Sequence, residues 1–75
     1  MSRLPSSKRA VFLRALQHMG ATTEAARGGG SGVRILYAGR FSMLHVHPSK
    51  EVGSAIAART LKDLGIDSDE FRKHL

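Results

Sequence analysis

The chain contains no cysteine. This absence removes disulfide bonds and thiolate metal sites together, and it leaves a small fold without a covalent cross-link. A protein without disulfides suits a reducing compartment, so we expect a cytoplasmic location.

Large aromatic side chains are scarce, with three Phe, one Tyr and no Trp among 75 residues. A chain of this length buries too little apolar surface for two cores, so residues 1–75 are expected to form a single domain. The 41% of hydrophobic residues can build one core, but few large rings contribute to it and the margin of stability is thin. A protein partner or a homo-oligomer would add buried surface.

Long apolar runs are also missing. The N-terminal stretch MSRLPSSKRAVFLRAL is basic, and Arg and polar residues interrupt its apolar positions, unlike the continuous segment of a signal peptide. No stretch reaches the ~20 apolar residues that cross a bilayer. We therefore expect no membrane association.

Acidic residues are outnumbered two to one, since six Asp and Glu face twelve Lys and Arg, for a net charge of +6. Ten of the twelve basic residues precede position 63, and four of the six acidic residues lie from Asp63 onward. Polyanions are the natural partners of such a chain. The alternative is a surface charge that serves only solubility.

Apolar spacing predicts an amphipathic helix that is capped by Ser6 and Ser7 and ends at Gly20. Three strands are predicted next, over residues 21–26, Val33–Ala38 and Phe41–Val46. The last two form a hairpin through a type II′ turn at Gly39-Arg40.

The C-terminal third is predicted to be helical. A second helix is expected to be capped by Ser54 and to end at Gly65, and a capping box of Asp67 and Glu70 precedes a short terminal helix. The fold class is therefore α+β, in the order α-β-β-β-α with a C-terminal α. The predicted core consists of Phe12, Leu16, Met19, Ile35, Val46, Leu61 and Leu64. Apolar residues on both sides of the hairpin predict helices on one face of the sheet and a partly apolar second face.

The stretch GGGSGV, residues 28–33, is the most unusual segment. It lacks the Gly-Lys-Ser/Thr of a phosphate-binding loop, and it opens a strand where a dinucleotide fingerprint would open a helix. Composition alone favours a tight turn into the hairpin strand.

His45 and His47 lie two residues apart on a predicted strand, so their side chains are expected on the same face. Without cysteine, and with Glu51 as the nearest acidic residue, we predict no metal site. The histidines are either a general acid or base, or polar residues at a strand end. Ribonuclease chemistry is compatible with so few groups, because the 2′-hydroxyl of RNA supplies its own nucleophile.

The order of the elements and three local stretches resemble the HicA family, the RNA-cleaving toxins of HicA-HicB toxin-antitoxin pairs. LQHMGA resembles the end of the family's first helix, and HVHPSKEVGSAIAARTLKDLGID resembles its third strand, its His-Pro-x-Lys-Glu loop and its second helix. The resemblance spans nearly the whole chain. It implies a fold like the double-stranded-RNA-binding domain, with helices on one face of a three-stranded antiparallel sheet. It also implies mRNA as the substrate, no cofactor, and a HicB-like antitoxin that covers the sheet or the glycine turn.

In HicA proteins a Gly-Ser-His triplet enters the second strand, and its histidine is the catalytic residue. Here Gly30 and Ser31 match the triplet, and Gly32 stands at the position of the histidine. The resemblance therefore implies RNA binding with weak or absent cleavage, either in a natural relative or in a form from which the toxic residue was removed. An alternative is that His45 or His47 reaches the same phosphate from the neighbouring strand.

The candidate catalytic positions are thus Ser31, Gly32, His45 and His47. Phosphate contacts are expected from basic residues along the chain, namely Lys8, Arg9, Arg27, Arg34, Arg40, Lys50 and Arg59. The rival hypothesis is a non-enzymatic module that binds an antitoxin or another protein.

Overall fold

The computed structural model describes residues 4–25 and 32–75. Along the chain the elements are β1 (Ser7–Lys8), α1 (Arg9–His18), β2 (Thr22–Ala25), β3 (Gly32–Tyr37), β4 (Arg40–His45), β5 (Glu51–Val52), α2 (Ser54–Leu64) and α3 (Ser68–Arg72). The predicted α+β class is confirmed, as is the predicted sequence of the main helices and strands.

The main sheet is antiparallel and has the strand order β2-β3-β4. Val33 lies opposite Leu44, and Ile35 lies opposite Ser42. These four residues are buried, because successive side chains of a strand alternate between the two faces and this set faces the helices.

The core joins this inner face to α1 and α2. Of the predicted core residues, all but Met19 are buried, and Met19 is partly buried and packs against the others. Phe71 of α3 completes the core, with its ring centroid 5.2 Å from that of Phe12. The terminal helix is therefore held by one large aromatic side chain.

A second, two-stranded sheet was not predicted. Ser7 of β1 lies opposite Val52 of β5, and Lys8 lies opposite Glu51. The predicted serine cap of the first helix is therefore wrong, since the cap position belongs to Lys8 and no side chain caps the helix. Two-residue strands are too short to show alternation, and their pairing depends on a contact between distant parts of the chain.

The second helix was predicted correctly at its end and incorrectly at its start. Gly53 occupies the cap position and Ser54 is the first helical residue, without a side-chain cap. Gly65 ends the helix in the left-handed region at φ 71°, as glycine does at many helix ends. Asp67 caps α3 as predicted, because its Oδ2 accepts a hydrogen bond of 3.2 Å from the Glu70 backbone N–H.

The hairpin turn lies one residue earlier than predicted. Ala38 and Gly39 form the two-residue connection, and both have positive φ, at 51° and 79°. Two positive φ values are the pattern of a type I′ turn, whereas type II′ needs only the first. The position of Gly39 suggested type II′, but the left-handed strain in fact falls on an alanine.

Replacing Ala38 with Asn should stabilise the protein. Left-handed backbone costs an ordinary residue on the order of 1 kcal/mol, and Asn tolerates it far better. A gain of about 1 kcal/mol raises the Tm of a domain this small by about 4–8 °C. Ala58→Asn, on the exposed side of α2, is the matched control and should lower the Tm. A lower Tm for Ala38→Asn in a thermal melt would contradict the turn conformation.

Candidate nucleic-acid interface

The sheet has one face that is not covered by the helices. We call it the open face; its described residues are Thr22, Glu24, Gly32, Arg34, Leu36, Phe41, Met43 and His45. It follows from alternation, because Val33, Ile35, Ser42 and Leu44 point to the core and their neighbours must point away. The predicted second face is therefore present, and Phe41 and Met43 are its exposed apolar residues.

His45 lies directly opposite Gly32 in the β3–β4 register. Cα atoms of directly opposed residues in an antiparallel pair lie about 4.5–5.5 Å apart. Gly32, where the resemblance implies a histidine, is thus the cross-strand neighbour of the exposed His45. Gly32 itself is buried, and Ser31, which precedes it, lies outside the described residues.

A groove runs between β4 and α2. We call it the β4–α2 groove; it has a volume of about 420 Å³ and is lined by Ser42, Met43, His45, Val46, Ile56, Arg59, Thr60 and Asp63. Two residues singled out from the sequence for different reasons, His45 and Arg59, therefore line the same cavity. Ile56, Thr60 and Asp63 were not singled out, since a regular spacing on a helix does not show which neighbour it meets.

The floor of the groove is held by hydrogen bonds to Asp63. The buried Ser42 hydroxyl donates to its Oδ2 at 2.9 Å. Arg40 Nε donates to its backbone carbonyl at 3.0 Å. Arg40 thus lies at the C-terminal end of α2, where a cation interacts favourably with the helix dipole.

Arg40 also packs closely on the end of this helix. A Cβ atom added to Gly65 would lie 2.9 Å from Arg40 Nη1. The Arg40 guanidinium group, which was predicted to contact phosphate, therefore lies between β4 and α2 and contributes to their packing.

The prediction that His45 and His47 share one strand face is wrong. β4 ends at His45, and His47 begins a turn in which the Lys50 N–H donates to the His47 carbonyl at 2.9 Å. His47 Nδ1 accepts from the Ser49 N–H at 3.1 Å and lies 2.7 Å from Ser49 Oγ. Pro48 explains the difference, because it has no N–H to continue the strand.

The other predicted cations are dispersed around the molecule. Arg9 Nη1 donates to the Val46 carbonyl at 2.9 Å and so links the start of α1 to the segment after β4. Arg34 lies on the open face, with its guanidinium carbon 5.1 Å from the centre of the Phe41 ring. Lys8 and Lys50 are exposed near β5, and Arg27 lies outside the described residues.

Three comparisons with known proteins found no match to any family model, curated protein or solved structure. Within residues 4–25 and 32–75, no three or more His, Asp and Glu side chains are grouped to hold a metal ion. The helices in these ranges are too short or too polar to cross a membrane. Function is therefore inferred from the residues and their geometry.

Replacing Arg40 should lower the thermal stability more than replacing Arg59. Arg40→Gln removes the cation at the end of α2 and should cost on the order of 1 kcal/mol, or a Tm loss of several degrees. Arg59→Gln changes an exposed helix residue and should stay within about 0.5 kcal/mol of the wild type. Equal Tm losses for the two proteins would contradict the structural role of Arg40.

Proposed function

We propose that the protein is an RNA-binding module of the HicA type, in which cleavage is weak or absent. The observation that carries the proposal is the meeting of His45 and Arg59 in the β4–α2 groove, with Gly32 opposite His45. A phosphate beside His45 would lie next to the position from which HicA-type catalysis is expected.

Arg59 is the residue of the groove best suited to bind phosphate. It is exposed on α2, and no hydrogen bond or ion pair joins it to the other described residues. A guanidinium group presents several N–H donors in a planar fork that matches a phosphate. The excess of basic residues draws a polyanion toward the whole surface, and Arg59 would fix one phosphate locally.

Binding through phosphates should weaken as salt is added. For a single-stranded RNA, the log-log slope of affinity against salt is about −0.7 for each neutralised phosphate. Arg59→Gln should therefore reduce the magnitude of the slope by about 0.7, as measured by fluorescence anisotropy. Lys62→Gln removes an equal charge from the last turn of α2, outside the groove lining, and should have the smaller effect. An Arg59→Gln slope identical to that of the wild type would contradict the contact.

Weak cleavage follows from the side chain that Gly32 lacks. A positioned general base typically contributes about 10²- to 10⁴-fold to rate. His45 is a cross-strand neighbour, but it occupies a different backbone position, and catalytic geometry tolerates little misplacement. The cations near the groove can stabilise a charged phosphate without replacing the proton acceptor.

Gly32→His should restore or strongly raise RNA cleavage, because it returns an imidazole to the family's position. The measurement is a cleavage time course on the wild type, Gly32→His, His45→Ala and His47→Ala. Since Gly32 is buried, circular dichroism must first show that Gly32→His is folded. His47→Ala is the matched control, because His47 is held in its turn by Ser49.

Two results would change the assignment. Robust wild-type cleavage that is lost in His45→Ala and kept in His47→Ala would move the active site to β4. A folded Gly32→His protein that does not cleave would favour a binding module without ribonuclease chemistry.

The second candidate function is a protein-interaction module, with a HicB-like antitoxin as the expected partner. The observation that favours it is the edge of β4, which pairs only with β3 among the described strands. An extended segment of a partner can add to such an edge through main-chain hydrogen bonds. A gel shift with RNA, beside co-purification with the product of the adjacent gene, distinguishes the two functions. Partner binding without RNA binding would favour the second.

A further inference from the structure

Phe41 is placed unlike the other two phenylalanines. Phe12 and Phe71 are each 1% exposed and pack against each other, whereas Phe41 is 57% exposed. In a chain with so few aromatic residues, a ring on the surface contributes little to a core that needs large side chains. Its position therefore calls for another explanation.

The surroundings of Phe41 combine a planar cation with apolar surface. The Arg34 guanidinium lies over the ring at 5.1 Å from its centre, within the range of a cation–π interaction. In the strand register Arg34 lies opposite Glu24 on one side and Met43 on the other. Its guanidinium group nevertheless extends diagonally to the aromatic ring.

There is room beside this pair for a flat ligand. A surface depression of about 380 Å³ is lined by Phe41 and Arg34, and its other walls include Thr22, Leu36 and Tyr37. Met43, at 40% exposure, continues the apolar surface along β4. The depression thus combines an aromatic face, a guanidinium plane and aliphatic walls.

Phe41, Met43 and His45 form a row along β4 that leads to Gly32. They are alternate residues on one face, so Phe41 and His45 are separated by about 14 Å of strand, at ~3.4 Å per residue. A ligand extended along this row would contact the Phe41 ring at one end. At the other end it would reach His45 and the β4–α2 groove, since His45 also lines that groove.

We propose that the open face is a stacking platform for single-stranded RNA, with a base stacked against the Phe41–Arg34 pair and the strand running toward His45. This inference rests on the proposed function and specifies how the RNA is held. Single-stranded RNA is favoured over a duplex because unpaired bases expose their faces to aromatic side chains and Arg. It is favoured over a protein partner because the cation over Phe41 suits both a base and a phosphate.

The platform and the groove make separable contributions to binding. Arg59 contributes charge, so its removal changes the salt slope. Phe41 contributes stacking, so its removal should lower affinity while leaving the slope unchanged.

A tryptophan at position 41 provides a direct test, because the chain has no Trp of its own. A single-stranded RNA of about 12 nucleotides, within the usual site sizes of such proteins, should quench the fluorescence of Phe41→Trp when a base stacks on the indole. The same RNA annealed to its complement should quench it much less. Val11→Trp is the control, since Val11 is 43% exposed and belongs to α1, not to the open face, and should not be quenched.

Affinities for the same RNA give the second test. Phe41→Ala should bind roughly 5- to 150-fold more weakly, the range for loss of one stacked base. Phe41→Leu retains apolar surface without a ring and should lose most of the same affinity, whereas Val11→Ala should bind like the wild type. The salt slopes of all these proteins should agree.

The outcomes separate the platform from the proposed function. If the wild type binds no RNA, both are overturned. If it binds with a salt-dependent affinity but Phe41→Leu binds equally well and Phe41→Trp is not quenched, the platform alone is overturned. If Phe41→Leu keeps its RNA affinity and loses only its complex with the adjacent gene's product, the open face is a protein-docking surface and the platform is likewise overturned.

Discussion

The register between β3 and β4 is the constraint on which the rest of the structure depends. Val33 opposite Leu44 and Ile35 opposite Ser42 fill the inner face. A slip of one residue would move every side chain of a strand to the other face and expose the core. The same register turns Phe41 outward, and the burial of an apolar face thereby positions the candidate site.

The attachment of α2 to β4 is the second constraint that positions the candidate site. Leu61 and Leu64 bury one side of the helix in the core. Such apolar packing does not by itself fix the orientation of the helix. Hydrogen bonds from Ser42 and Arg40 to Asp63 add direction, because each has a defined donor and acceptor. They hold the helix beside β4 so that Arg59 lines the same groove as His45.

The candidate site therefore draws on three kinds of surface around β4. The groove offers a guanidinium group, the open face offers an aromatic ring, and the outer edge of β4 pairs with no other described strand. His45 lines the groove and projects from the open face. A ligand that occupied both surfaces would therefore pass this imidazole, which lies opposite Gly32 in the strand register.

Periodicity in the sequence determined the helices α1 and α2, the β3–β4 hairpin and six residues of the core, because burial of one face imposes a repeat that the residues must follow. Capping residues in the sequence also determined the end of α2 at Gly65 and the start of α3 at Asp67, because these boundaries depend on local backbone chemistry. The second apolar face followed from the same alternation. These features depend on residues that are close together in the sequence, so they can be predicted from the sequence alone.

Only the tertiary structure decided the β1–β5 pairing, the positive φ of Ala38 and the structural role of Arg40. Each depends on contacts or backbone geometry that leave no repeat in the sequence. Arg40 and Arg59 look alike as isolated basic residues, yet one is bonded to a helix end and the other lines a groove. Charge is visible in a sequence, but its use depends on which groups the fold brings within hydrogen-bonding distance.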